Sequence, residues 1–150
     1  MNREISNKLV LLALFFSLFL GAGNVFALCA TQAEPGDWRN YDPNTGGITR
    51  TLVEFYCQDQ VLNGVVFPEF PFYISLWGKC SPTDCPWGRV GARKDPDGWI
   101  KTTIDHGFAK RYIWIKLYPT STLTWLRVWI WTDFVDPGRT DYAMNNWMLR

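Results

Sequence analysis

The sequence predicts an all-β protein: an antiparallel meander of eight or nine strands closed into a barrel, with a two-sheet sandwich as the alternative. Three observations lead there. Short runs of β-branched and aromatic residues recur at even spacing, separated by Pro, Gly, Asn and Asp clusters. No stretch after the first 27 residues carries helical periodicity or heptads. The two longest runs alternate in polarity with the period of a half-buried strand.

The amino terminus reads as a secretory signal peptide over residues 1–27. Arg3 and Lys8 supply positive charge, and Leu9 to Leu20 is uncharged. Twelve residues are too few to span a bilayer, which takes roughly 20 in a helix. Gly21, Ala22 and Gly23 then interrupt the run, and Val25-Phe26-Ala27 presents small residues where signal peptidase cuts. Cleavage after Ala27 leaves one domain over residues 28–150, secreted or periplasmic, with no stable membrane insertion. Cys29 follows Leu28, where a lipid-attachment site needs a small residue, so it reads as an ordinary disulfide cysteine.

The segment removed holds Arg3, Lys8 and Glu4, so the remainder balances 13 basic against 13 acidic residues. A neutral domain has no long-range field for phosphate backbones, which argues against nucleic acid. Cys29, Cys57, Cys80 and Cys85 all lie in the mature part. An even count in an oxidising compartment implies two disulfides, with three possible connectivities. Cys80 and Cys85 flank the turn-forming Ser-Pro-Thr-Asp, which favours local closure and leaves Cys29 with Cys57. With no Cys-x-x-Cys pair and His106 as the only histidine, neither a metal site nor another cofactor is expected.

In chain order, a strand is expected near Trp38. Asp42–Gly47 then turns the chain into Ile48–Tyr56, and a segment near Val65 follows. Pro68 to Pro71 precedes Phe72–Trp77, a strand is expected near Val90, and Asp95-Pro-Asp-Gly98 turns into Trp99–Ile104. Asp105-His-Gly107 leads to Arg111–Tyr118, Pro119–Thr122 to Leu123–Trp131, and Asp136-Pro-Gly138 to the last run, Asp141–Leu149.

The runs Arg111–Tyr118 and Leu123–Trp131 form a hairpin with two unlike faces. Ile113, Ile115, Leu117, Leu126, Val128 and Ile130 make one aliphatic. Tyr112, Trp114, Lys116, Tyr118, Trp125, Arg127, Trp129 and Trp131 make the other aromatic and cationic. The aromatic face fits three arrangements: an outward ladder of cross-strand pairs, each worth ~0.2–1 kcal/mol, an outward ligand-stacking surface, or the lining of an internal pocket. Nine tryptophans make binding a serious alternative to the ladder. The second distinctive stretch, Trp77-Gly-Lys-Cys-Ser-Pro-Thr-Asp-Cys-Pro-Trp-Gly88, reads either as a recognition loop presenting Trp77, Asp84 and Trp87 or as a stapled turn whose rings plug a barrel end.

Trp38-Arg-Asn-Tyr-Asp, Gly47-Ile-Thr-Arg50, the Trp77–Gly88 loop, and Thr132-Asp-Phe with Gly138-Arg-Thr-Asp-Tyr142 resemble an uncharacterised family of secreted bacterial β-domains. The chain also resembles the calycin plan of lipocalin- and avidin-type barrels, with an early Trp on the first strand and an Arg at the end of the last. That second resemblance implies that Trp38 and Arg150 stack to close one barrel end. Neither brings catalytic residues. A Ser–His–Asp arrangement would need His106, which sits in a turn, and no spacing brings two of Glu54, Glu69, Asp84 and Asp133 to the ~5–10 Å of a glycosidase pair. The expectation is a non-enzymatic binding module. It would recognise a glycan or small amphipathic ligand through Tyr112, Trp114, Lys116, Trp125, Arg127, Trp129 and Trp131. A protein-interaction domain, an inhibitor or envelope component, is the alternative.

Overall fold

The computed structural model describes residues 29–150; the expected signal peptide and its cleavage site lie outside the described residues. Ten strands and no helix are present among them: β1 (Gly36–Asn40), β2 (Ile48–Phe55), β3 (Gln60–Leu62), β4 (Val65–Phe67), β5 (Phe72–Gly78), β6 (Cys85–Lys94), β7 (Ile100–Asp105), β8 (Ala109–Pro119), β9 (Thr124–Phe134) and β10 (Tyr142–Leu149). Eight of them form a closed antiparallel barrel in the order β1-β10-β9-β8-β7-β6-β5-β2. Closure comes from β1, which pairs with β2 on one side and with β10 on the other, at Arg39↔Leu149 and Asn40↔Met148. The sandwich alternative is thereby excluded.

The strand alternation decides what faces the axis. Along β8, Ala109, Arg111, Ile113 and Ile115 are buried while Lys110, Tyr112 and Trp114 are exposed. On β9, Leu126, Val128, Ile130 and Thr132 point inward. They meet Ile48, Val53, Ile74, Leu76, Ile100 and Met148 from the other strands. Full burial of each such side chain contributes ~1.5–3 kcal/mol relative to exposure. Aliphatic side chains fill the middle of the interior, as expected for eight strands. Ion pairs decorate the outside, among them Arg50–Asp37, Arg89–Glu54 and Lys101 with Asp95 and Asp97. No helix among the described residues is long and apolar enough to cross a membrane.

Trp38 sits fully buried near the barrel end where β1 begins. Its indole N–H donates to the Glu34 carbonyl at 2.9 Å, and the Arg150 guanidinium lies 4.7 Å from its ring centroid. Arg150 in turn donates to the Pro35 carbonyl at 2.7 Å. Gly36 (φ +154°) keeps the approach open, because a Cβ there would come 3.1 Å from the guanidinium.

The segment near Val65 is a strand but not a barrel stave, and this corrects the nine-strand count. It pairs with β3 as a separate hairpin between β2 and β5. Asn63 and Gly64 both take positive φ, as a two-residue hairpin turn of this hand requires. All six of its strand residues are exposed, so the hairpin has no inward face to offer the barrel.

Candidate functional site

The aliphatic residues of the β8–β9 hairpin occupy the core, so the aromatic face points outward. The internal-pocket arrangement is therefore overturned. On this surface the register sets Tyr118 opposite Trp125, Lys116 opposite Arg127, Trp114 opposite Trp129 and Tyr112 opposite Trp131. Neighbouring strands enlarge the face. β10 places Trp147 beside Arg127, and β7 places Lys101 beside Trp114.

A run of ring contacts crosses this surface. Tyr41 meets Trp125 at 5.2 Å between centroids, Trp125 meets Trp147 at 6.5 Å, and Trp147 meets Tyr118 at 5.3 Å. Tyr118 meets Trp99 at 6.5 Å, Trp99 meets Trp114 at 6.2 Å, and Trp114 meets Trp129 at 5.0 Å. Cations lie among the rings. Arg127 is 5.6 Å from the Trp99 centroid and 5.8 Å from that of Trp147, and Lys116 Nζ is 5.6 Å from Trp99. Asn145 accepts from Arg127 Nε at 2.8 Å, and the Asp97 carbonyl accepts from Lys116 at 2.8 Å. Both cations are thus fixed within the aromatic surface rather than free above it. Tyr112 and Trp131 are exposed at its far edge, outside this run of ring contacts.

Where Tyr118 and Trp125 approach the β8–β9 turn, the surface becomes a cleft of about 400 Å³ lined by Tyr41, Tyr118, Thr120, Trp125 and Trp147. An adjoining depression shares Tyr41 and Trp147 and is lined also by Asn40, Asp42, Thr45, Asn145 and the backbone stretch that includes the inward-facing Asn146. The cleft therefore has apolar ring walls and a hydrogen-bonding margin. Its extra residues came from places sequence reasoning did not connect. Trp147 alternates in the final strand and could have been placed outward. Tyr41 lies beyond β1 and reaches the cleft only because β1 pairs with β10.

The residues of the Trp77–Gly88 stretch divide between the two sides of the wall. The Cys80–Cys85 disulfide forms, and Cys29 and Cys57 are disulfide-bonded as well. Trp77 lies outside, beneath the Arg50 guanidinium at 4.3 Å, with Asp37 holding Arg50 by two hydrogen bonds of 2.7 and 3.0 Å. Those hydrogen bonds, before any other cause, hold the Asp37 carboxyl below its ordinary value. Asp84 is exposed, 3.9 Å from Lys79. Trp87 turns inward instead. The β5–β6 register slips between Leu76↔Gly88 and Trp77↔Pro86, leaving Trp87 without an opposite residue. It packs against the core, over Gly78, where a Cβ would lie 2.5 Å from the indole nitrogen. The loop therefore does not present both rings on one surface.

No trio of His, Cys, Asp and Glu side chains among the described residues is placed to hold a metal ion. Glu54, one of the carboxylates available for catalysis, accepts from Arg89 at 2.7 Å and from the Tyr56 hydroxyl at 2.8 Å, and the Arg89 hydrogen bond chiefly lowers its pKa. No family model matches the chain, and neither the curated proteins nor the solved structures contain a match.

Proposed function

We propose that this barrel is a non-enzymatic, exported binding module whose aromatic outer face engages a glycan or a comparable small amphipathic ligand. The observation that carries the reading is the cleft between Trp125, Trp147, Tyr41 and Tyr118, with the Asn- and Asp-rich depression at its edge. Pyranose rings have apolar faces that suit indole and phenol walls, and their hydroxyls suit amide and carboxylate margins. Cross-strand ring packing supports the sheet at the same time. That role does not explain rings lining an open cleft.

The test is a fluorescence titration of the protein with a panel of soluble neutral and uronic-acid oligosaccharides. Saturable quenching is expected for at least one class, weakened about tenfold or more in Trp125→Ala and Trp147→Ala, the equivalent of ~1.4 kcal/mol or more. Trp131→Ala, at the edge of the face, should change affinity less. An absence of saturable response across the panel would reject glycan recognition.

A second reading is a protein-interaction module. The β3–β4 hairpin supports it: Val61, Leu62, Val65, Val66 and Phe67 are 45–65 % exposed. Contiguous exposed apolar side chains of this kind are characteristic of interaction sites.

A further inference from the structure

Five buried side-chain polar atoms among the described residues lack a hydrogen-bond partner. Three of them, Arg111 Nε, Thr132 Oγ1 and His106 Nε2, lie at the barrel end beneath Trp87. Arg111 and Thr132 are directly opposed on β8 and β9 and both point inward, 8 % and 0 % exposed. The guanidinium lies 4.3 Å from the Trp87 centroid and 5.5 Å from that of Phe108. The His106 ring meets the same two rings, at 6.4 and 5.8 Å. No carboxylate among the described residues pairs with Arg111, whereas the cations that do form ion pairs among them sit at the surface.

A buried guanidinium without a counter-charge is costly, and ring contacts offset only part of that cost. Ring contacts do not use the N–H donors of the group, and its Nε is buried without an acceptor, which suits a planar acceptor such as a carboxylate. The wall beside it is not closed by backbone pairing. The β6–β7 ladder consists of Arg93↔Lys101 and Lys94↔Ile100, with the Thr102 hydroxyl reaching the Gly91 carbonyl at 2.7 Å. Beyond that point, toward Trp87 and His106, the two strands share no register.

We propose that this end of the barrel binds a monocarboxylate with an apolar body, its carboxylate on the edge of Arg111 and a second hydrogen bond from the Thr132 hydroxyl. One cation suits one negative charge, and Trp87, half-exposed Phe108 and Ile104 supply the apolar surroundings. Burial first, then the Arg111 charge, lowers the His106 pKa, with Asp105 acting the other way. A single guanidinium, with no second cation paired beside it, favours a singly charged carboxylate over phosphate. This inward site is separate from the outer aromatic face and stands or falls independently of it.

The experiment is an NMR titration of uniformly ¹⁵N-labelled protein, reading the Arg111 side-chain Nε–H and the Trp87 indole N–H. The probes are benzoate, inorganic phosphate, and one N-acetylated tripeptide with its carboxyl terminus either free or amidated. Saturable shifts of both signals are expected with benzoate and none with phosphate. A response to the free peptide but not to its amide would assign the site to peptide carboxyl termini, and a response to benzoate alone to free small acids. Thr132→Val keeps the shape and removes one donor, and it should weaken binding about five- to tenfold. Arg111→Lys should abolish the saturable shift. Two outcomes would overturn the proposal: no saturable shift with benzoate or the peptide at ~10 mM, well above a millimolar Kd, or wild-type affinity in Thr132→Val and Arg111→Lys.

Discussion

At the scale of single residues, the two ends of the barrel are closed by the same chemistry, an arginine laid on a tryptophan, in different surroundings. Arg150 reaches the fully buried Trp38 from the surface and still donates to a carbonyl. Arg111 is inside, held by Trp87. Replacing Trp38 with Ala should cost ~3–5 kcal/mol, the range for deleting a large buried ring. Arg150→Ala should cost only ~1 kcal/mol, since it removes one exposed hydrogen bond and one ring contact. Urea denaturation midpoints of the two variants check the order. His106 adds a pH dependence of known sign. Its pKa is lowered from the ordinary 6.5, so just below that pH the unfolded chain takes up a proton that the folded chain refuses. Stability should fall as pH drops through that window, and the fall should be smaller in His106→Gln. The lowered carboxyls of Asp37, Glu54 and Asp97 act lower, since their stabilisation is present above ordinary carboxylate values and is lost as pH falls through their depressed ones. Thermal unfolding from pH 8 to pH 3 separates the two regimes.

At the scale of elements, legibility followed local periodicity. The β8–β9 hairpin could be read because inward and outward residues alternate without interruption, and each aliphatic position named from the sequence lies inward. Arg111 also alternates inward, yet a cation at a core position gave no reason to expect burial, so the polar end of the barrel was missed. Trp77 and Trp87 misled for a related reason. A one-residue slip in the ladder turns a side chain to the opposite face, and no local residue type announces the slip. The Val65 segment had strand composition but no polar alternation, and the structure explains why: β3 and β4 have no core side. Replacing residues 60–67 by a short Gly-Ser linker should therefore leave the barrel folded. Near-UV circular dichroism should be retained and the melting temperature lowered by no more than a few degrees. Collapse of the barrel on this deletion would mean that the hairpin supports it through contacts other than core burial.

At the scale of the whole molecule, the barrel depends on each stave, because every stave pairs with two neighbours and the core is shared all around. Deleting β10 takes away Met148 and Asn146 from the interior and exposes the edges of both β9 and β1. A chain ending at residue 140 should lose cooperative unfolding and aggregate, as measured by chemical denaturation and light scattering. Loss of the β3–β4 hairpin should do neither. Closure also explains how the candidate binding surface is assembled. Its residues lie on β7, β8, β9 and β10 and in the segment after β1, and they are brought together only by register around the ring.

The β1–β10 seam also governs when the molecule can be finished. Arg39 waits for Leu149, a partner about 110 residues later in the chain, and such long-range pairing is slow to form. Synthesis thus delivers every other stave before the ring can shut. Throughout that interval the chain has no closed core to lock it, which is the condition a polypeptide needs to be held by a chaperone or drawn as a thread through a narrow pore. Strand β10 acts as the latch: its arrival decides at which moment this protein becomes a solid object.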